Sequence, residues 1–181
     1  ELPSQIMENW LAEKETLQLF ARHYETDEII SDELIDKIKK SRSFNAGTLG
    51  LRQLSFCFLD MAWHTGTPTD IENLEAFEDK AIEKTRLLPK VDGSNISCQL
   101  GHIFSGGYSA GYYSYKWAEA LDADAFEHFR EKGIFNKKVA ASFRNNILEK
   151  GNTESPMEMY VKFRGKEPDP DALLRRDQLL N

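Results

Sequence analysis

The sequence predicts an all-α protein, and three observations lead to that prediction. Apolar residues recur every three to four positions along most of the chain, which is the spacing of one helix face. Polar capping residues followed by acidic residues stand at the head of several of these stretches. Alternation of apolar and polar residues, which is typical of strands, is nowhere sustained. We therefore expect a single multi-helical region over residues 1–181, without internal repeats.

The first two helices are predicted from periodicity and from charge. From Pro3 onward, large apolar and aromatic residues recur at helical spacing. These residues are Met7, Trp10, Leu17, Phe20 and Tyr24. Ser31 is the expected N-cap of the second helix, because acidic residues follow it and basic residues end the stretch at Arg42.

Two more helices and a long loop are predicted in the middle of the chain. Residues 44–63 are apolar on nearly all sides in their second half, which is typical of a helix inside a larger body. Thr69 and Glu72 have the spacing of a capping box at the start of the next helix, which Pro89 is expected to end. Residues 90–107 are polar and rich in Gly and Ser, so we expect a loop there.

Helical periodicity resumes near Tyr108, is expected to break around Asp122–Asp124, and continues to Gly133. Three further signals follow it. They are a helical stretch over residues 136–150 closed by Gly151, the helix start Ser155-Pro156-Met157-Glu158, and the pair Asp169-Pro170 before a short last helix.

Composition excludes several classes of function. Asp and Glu number 30 against 23 Lys and Arg, and the net charge of −7 argues against nucleic acid or an anionic membrane as the main partner. No apolar run reaches the roughly 18 residues that span a bilayer. Cys57 and Cys98 form no disulfide framework or CxxC clamp, so we expect reduced, buried thiols and a cytoplasmic protein. Because the chain begins with Glu1 rather than with Met, we expect a piece of a longer chain.

The most unusual segment is HIFSGGYSAGYYSY, residues 102–115, which holds four of the six tyrosines beside several glycines. On a helix that begins at Tyr108, one face would carry Tyr108, Tyr112 and Tyr115. The opposite face, expected in the core, would carry Tyr113, Trp117 and Leu121. Phenols donate hydrogen bonds to a carbonyl or a developing oxyanion without carrying charge. Taken alone, the residues leave simple aromatic packing and ligand contact open as alternatives.

The sequence contains no recognisable complete metal site, because HxxxH, CxxC and EF-hand spacings do not occur. A lone histidine is more often structural than a ligand, and this applies to His102 as well. We interpret His23, His64 and His128 as structural or surface residues. Glu1 and Glu8 are expected on one helix face, and a solvated acidic N-terminus is the simpler interpretation of the pair.

Three separated segments together resemble one known family. They are ELPSQIMENW at the start, GHIFSGGYSAGYYSYKWAEAL in the middle and ILEKGNTESPMEMYVKFRGKEPDPDALL near the end. They resemble the thimet oligopeptidase family of zinc metallopeptidases, most of all its oligopeptidase A and peptidyl-dipeptidase Dcp branch. Members are long, almost entirely helical chains whose halves flank a substrate channel. The resemblance implies that residues 1–181 form the C-terminal part of such a zincin-type peptidase.

The resemblance also implies a cofactor, Zn²⁺, whose site is incomplete in this chain. The family's zinc ligands are the two His of an HExxH helix and a Glu about 25 residues further on, which corresponds to Glu1. Glu8, on the same helix, would orient a ligand. The HExxH helix itself has no counterpart in the sequence. We therefore expect the chain to be inactive alone.

In the family, a Gly-rich loop carries a His and tyrosines that bind the peptide backbone and stabilise the oxyanion. By motif position, the implied carbonyl-facing donors are Tyr115 and Tyr112. The implied substrate-binding residues are His102, Tyr108, Gly106 and Gly107, and the glycines would let the loop close over substrate.

The implied function is hydrolysis of short peptides by a zinc-bound water, with the missing N-terminal part of the same chain as the other partner. The resemblance does not distinguish internal cleavage from release of dipeptides. The alternative is a non-catalytic helical module that binds a peptide or partner protein through the tyrosine segment.

Overall fold

The structure is a computed structural model that describes residues 1–180, and helices are its main secondary structure. No strand occurs in this part of the chain, although Arg22 and Ile29 form an isolated antiparallel bridge. The all-α prediction is therefore confirmed. The helices are α1 Leu2–Asn9, α2 Lys14–Phe20, α3 Asp32–Ser43, α4 Ala46–Thr65, α5 Leu74–Ile82, α6 Ser114–Lys132, α7 Lys137–Phe143, α8 Pro156–Arg164 and α9 Asp171–Arg176. Short 3₁₀ turns lie at Trp10–Ala12, Pro68–Asp70, Glu83–Thr85 and Gly101–Ile103, and a π-helical turn follows α7 at Arg144–Leu148.

The described chain divides into two compact units. The first unit consists of Glu1–Phe44 and the described residues from Ala118 onward, and the second unit is Asn45–Trp117. No Pro- or Gly-rich linker marks the division, and one of its boundaries falls within α6. The interpretation of residues 1–181 as one helical region stays a prediction.

The core of the first unit is built largely from aromatic side chains. It contains Ile6, Ala125, Phe126, Phe129, Ile134, Val139, Phe143, Tyr160 and Phe163. Trp10 meets Phe126 and Phe129 edge-on, with ring centroids 4.7 and 4.9 Å apart. Its Nε1–H donates to the Ile134 carbonyl at 3.1 Å, so the polar end of the indole is satisfied. These contacts attach the N-terminal segment to α6.

The N-terminal helix is shorter than predicted, because the chain leaves the helical conformation at Glu13. Glu13 is extended, with φ −92° and ψ 133°, and its carboxylate accepts two hydrogen bonds from Arg130 of α6. This break changes the helical phase, so the predicted apolar stripe is wrong in part. Phe20 and Tyr24 are exposed, whereas Ile6 and Leu17 are buried.

Two N-caps test the local predictions. The Ser31 hydroxyl accepts from the Leu34 N–H at 3.3 Å, which confirms the predicted start of α3. The predicted capping box at Thr69 is wrong, because α5 starts later, at Asn73, whose side-chain oxygen accepts from the Ala76 N–H at 2.9 Å. Asn is a stronger N-cap than Thr, and Pro68 starts a 3₁₀ turn of its own.

Helix α6 departs from the prediction at both points that concerned it. It begins at Ser114 rather than Tyr108, and it continues without a break through Asp122–Asp124 to Lys132. Both aspartates are buried and compensated. Asp122 accepts from Asn9 at 2.8 Å and from Arg176 at 2.5 Å, and Asp124 accepts from the Tyr160 hydroxyl at 2.7 Å. These partners are distant in sequence, so local polarity predicted a break that does not occur.

The remaining helices agree with their predicted signals in position. Asn136 caps α7, Pro156 is the first residue of α8, and the Asp169 carboxylate accepts from the Asp171 N–H at 3.0 Å before α9. Ser155 stands at the N-cap of α8 but makes no side-chain capping bond. Of the two cysteines, Cys57 is buried as expected, whereas Cys98 is exposed.

Candidate functional site

The tyrosine loop, residues 102–113, lies in the second unit and is built from turns rather than from helix. It begins within the 3₁₀ turn Gly101–Ile103, and it ends where α6 starts at Ser114. The prediction that Tyr108, Tyr112 and Tyr115 share one face of a helix beginning at Tyr108 is therefore wrong. The four ring-bearing residues predicted as site residues nevertheless come together, for the different reason that the loop folds back on itself.

The rings of His102, Tyr108, Tyr112 and Tyr115 form one cluster. Tyr115 lies between the other two tyrosines, with centroid distances of 5.0 Å to Tyr108 and 5.1 Å to Tyr112. The His102 ring is 5.9 Å from Tyr108, 6.1 Å from Tyr112 and 6.5 Å from Tyr115. Several hydrogen-bond donors are thus concentrated in a small volume beside a glycine-rich backbone.

The members of the ring cluster differ in exposure. Tyr112 is buried, packs edge-on against Phe56 at 5.7 Å and belongs to the unit's core with Leu100 and Ile103. Burial, with Tyr115 as a further contributor, raises the pKa of the Tyr112 hydroxyl, which therefore remains a protonated donor at neutral pH. Tyr108 and Tyr115 are half-buried and His102 is exposed.

The residues expected on the core side of the tyrosine segment are placed differently. Tyr113 and Trp117 are 54% and 60% exposed, so the prediction that they lie in the core is wrong. Leu121 is partly buried and packs against the core of the first unit. The error follows from the assumed helix start at Tyr108, because a helix that begins at Ser114 has a different phase.

Close backbone contacts shape the loop. A side-chain Cβ at Gly106 would lie 3.0 Å from both Cα and the carbonyl oxygen of His102, so a larger residue does not fit without movement. Gly107 has φ +82°, a conformation that favours glycine. Ala110 adopts φ +53° without being glycine. Two of the glycines singled out from the sequence therefore have a structural reason, independent of any ligand.

Asp60 of α4 is a residue of this site that sequence reasoning missed. Its side chain is wholly buried, and its two carboxylate oxygens accept from the backbone N–H groups of Ala110 at 2.9 Å and Tyr112 at 2.8 Å. His64, one turn further along α4, places Nδ1 2.8 Å from the same carboxylate. The available signal was a single acidic residue inside the apolar run SFCFLDMAW.

Glu78 of α5 has a corresponding role in the loop that precedes the tyrosines. It is 2% exposed, and its carboxylate accepts from the N–H groups of Ile96 and Ser97, the latter at 2.6 Å. The Trp63 Nε1–H donates to the Ser97 hydroxyl at 2.8 Å. The Gly- and Ser-rich segment 90–107 is therefore held at defined points against α4 and α5.

A cleft of about 830 Å³ opens beside the ring cluster within the second unit. Its walls come from α4, α5 and residues 85–100, and His102 and Tyr112 border it. They are accompanied by Arg52, Gln53, Phe56 and Leu100. The lining combines apolar side chains with hydrogen-bonding groups, which suits a ligand of mixed character.

The predicted acidic pair lies in the first unit. Glu1 occupies the N-cap position of α1, and Glu8 lies on α1 itself; both are exposed. The opposite side of α1 is fixed by Ile6 in the core and by Asn9, which donates to Asp122 at 2.8 Å. The position of α1 on α6 is thus defined by buried contacts on the side of Ile6 and Asn9.

The sequence profile of Peptidase family M3 matches residues 1–179. The chain belongs to peptidase family M3. The oligopeptidase branch expected from the sequence is confirmed, because bacterial oligopeptidase A and dipeptidyl carboxypeptidase are among the relatives.

Three relatives of the M3 chain illustrate the similarity. Organellar oligopeptidase A of Arabidopsis thaliana is 43% identical over 185 residues, which cover 99% of this chain and 23% of the relative. Oligopeptidase A of Escherichia coli is 44% identical over 176 residues, 96% of this chain and 26% of the relative. Dipeptidyl carboxypeptidase of Escherichia coli is 35% identical over 170 residues, 93% of this chain and 25% of the relative. The chain thus spans about a quarter of the length of these relatives.

The donor set of this M3 chain does not by itself fit a metal ion. Among residues 1–180, no three His, Cys, Asp or Glu side chains are grouped so that they could hold one. Glu1 offers a single carboxylate. In the same part of the chain, no helix is both long and apolar enough to cross a membrane.

Proposed function

We propose that the protein carrying this chain is a zinc-dependent oligopeptidase or peptidyl-dipeptidase that hydrolyses short peptides. In this proposal the chain supplies the groups that bind the peptide and stabilise its oxyanion, together with one metal ligand. Membership in family M3 supports peptide hydrolysis, and relatives in both named classes support the two alternatives of specificity.

The observation that carries the proposal is the ring cluster. Four side chains chosen from sequence motifs have centroids within 6.5 Å of one another in five of their pairs, beside a cleft. Simple packing would account for Tyr112, which is buried, but not for the exposure of His102. A group of donors at the edge of a cleft is what recognition of a peptide backbone requires.

Within this cluster we assign roles by chemistry and exposure. Tyr115 and Tyr112 are the donors to the substrate carbonyl, and Tyr115 is the more accessible of the two. Tyr108 and His102 position the peptide. Gly106 and Gly107 are assigned to the peptide-binding loop, where they would leave room for the peptide beside the backbone.

In this proposal, Glu1 and Glu8 are the residues of the chain that have a role at the zinc site. Glu1 would be one zinc ligand, and Glu8 would orient a ligand from the same helix. Bound zinc supplies an activated water and polarises the peptide carbonyl in enzymes of this kind. The remaining ligands would come from outside these 181 residues, so the chain alone would not hydrolyse peptides. A cytoplasmic location is part of the proposal; the relatives of Arabidopsis thaliana include both an organellar and a probable cytosolic oligopeptidase A.

The first prediction tests Tyr115 in the complete protein. Tyr115→Phe should lower kcat by about 10²–10³, because one oxyanion donor is lost while the ring still packs. Tyr24→Phe is the matched control, since Tyr24 is 88% exposed and lies in the other unit. Steady-state kinetics on a short fluorogenic peptide measure both.

A change of less than about twofold in Tyr115→Phe would contradict the oxyanion role. Peptide binding by a wild-type protein that hydrolyses nothing would favour the non-catalytic module instead.

A further inference from the structure

Asp60 has the geometry of a residue that sets the conformation of the tyrosine loop. Its carboxylate is wholly buried, and each of its oxygens accepts one backbone N–H, from Ala110 at 2.9 Å and from Tyr112 at 2.8 Å. Both donors lie 50 or more residues away along the chain. A rigid helix, α4, therefore determines where this part of the loop can lie.

One of the two hydrogen bonds is made by a loop residue with an unusual backbone conformation. Ala110 has φ +53°, a left-handed conformation that a residue with a Cβ adopts only when its surroundings impose it. Asp60 binds the N–H of Ala110 itself and the N–H two residues later. The carboxylate thus holds the backbone in a conformation that it would otherwise leave.

His64 supports this arrangement from the same helix. Its Nδ1 donates to the backbone carbonyl of Asp60 at 2.9 Å and also lies 2.8 Å from Oδ1, which already accepts from Ala110. The two backbone N–H donors and the close contact of the His64 ring leave the Asp60 carboxylate little freedom to rotate. The His64 ring also lies 6.0 Å from Phe104, inside the loop itself.

We infer that Asp60, supported by His64, is a positioning residue of the peptidase. It holds the backbone from which Tyr112 projects, and the Tyr112 ring in turn contacts Tyr115 at 5.1 Å. The hydroxyls of both tyrosines are thereby fixed before substrate binds, which is the condition for effective oxyanion stabilisation. The inference rests on the proposed function and assigns no contact between Asp60 and substrate.

The test is Asp60→Asn in the complete protein, with kinetics on a short peptide. Asn has the same shape, but its amide group must turn a donor toward one of the two N–H groups. The expected result is a fall in kcat of about 10- to 100-fold, because small displacements of catalytic groups are costly. KM should change less than about threefold, since the loss concerns the transition state.

Asp124→Asn is the matched control, because Asp124 is equally buried but lies in the other unit. It should retain wild-type kcat even if its melting temperature falls. Two further variants separate positioning from stability. His64→Phe keeps the ring and removes the donor, and should lower kcat by a smaller factor. Adding Ala110→Gly to Asp60→Asn should restore part of the lost kcat, because glycine adopts the positive φ of this position without help from the carboxylate.

Hydrogen exchange of the Ala110 and Tyr112 amides provides a readout without activity. In the complete protein both should be protected, and Asp60→Asn should remove that protection. If the wild type hydrolyses peptides and both Asp60→Asn and His64→Phe keep its kcat, the inference is wrong. Failure to recover kcat with Ala110→Gly also counts against it. If the wild type is inactive but the amides lose protection in Asp60→Asn, the proposed function fails and the loop-holding role stands.

Discussion

Buried carboxylates determine much of the structure at the scale of single residues. Within the described residues they are Asp60, Glu78, Asp122 and Asp124. An unpaired buried carboxylate costs several kcal/mol, so each is retained only with donors of good geometry. In the second unit the donors are backbone N–H groups of loops, and in the first unit they are side chains of other helices. The same chemistry therefore fixes loops in one unit and joins helices in the other.

Tyr160 provides a test of how much one hydroxyl donor to a buried carboxylate contributes to stability. It is buried and donates to Asp124 at 2.7 Å, and burial, followed by the bond to Asp124, raises its pKa so far that it stays protonated at any ordinary pH. Tyr160→Phe removes that donor from a buried carboxylate and should lower the free energy of unfolding by about 1–3 kcal/mol. Tyr113→Phe is the control, because Tyr113 is exposed.

Urea denaturation followed by circular dichroism measures both tyrosine variants. Equal stability of Tyr160→Phe and the wild type would mean that Arg164, which also binds Asp124, is sufficient for this carboxylate.

At the scale of the elements, local signals were predictive where the partner lies within a few residues. Ser31 and Asn136 cap the helices that follow them, and each bond spans two or three residues. Tyr108 as a helix start and Asp122 as a helix break were wrong, because both depend on distant groups. Asp60 holds the residues after Tyr108 in turns, and Arg176 compensates Asp122.

The residues of the candidate site also differ in whether the sequence alone could predict them. Its aromatic residues could be found from the sequence, because motif and composition single them out. The loop-holding role of Asp60 and Glu78 could not be assigned from the sequence, because their backbone donors are 18 to 52 residues away and only the fold brings them together.

The start of α5 gives a prediction at this scale. Asn73 provides the observed capping bond, whereas the Thr69 hydroxyl contacts only Asp70, at 3.5 Å. Asn73→Ala should therefore lower stability by about 1 kcal/mol. Thr69→Ala should change it by less than about 0.5 kcal/mol. Thermal denaturation of the two variants decides between the caps, and a larger loss in Thr69→Ala would restore the capping box.

At the scale of the whole molecule, the pH dependence of stability combines carboxylates with shifts of opposite sign. Arg175 lowers the pKa of Asp169, whose favourable contribution is present at neutral pH and is lost as the pH falls through its folded value. Burial raises the pKa of Asp122, although Arg176 and Asn9 oppose the effect. The folded state therefore holds a proton on Asp122 more readily than the unfolded state does. Its contribution to stability increases as the pH falls.

The last prediction compares Asp122→Asn and Asp169→Asn, because each variant removes one of these titrations. Between pH 7 and pH 4, the melting temperature of the wild type relative to Asp122→Asn should shift in favour of the wild type, since only Asp122 takes up a proton on folding. The wild type should melt at a higher temperature than Asp169→Asn at neutral pH, and this difference should shrink as the pH falls below about 4. Calorimetry across this range measures both differences. A shift of the same sign for the two variants would show that Arg176 lowers the pKa of Asp122 by more than burial raises it. Asp122 and Arg176 would then behave as an ordinary ion pair.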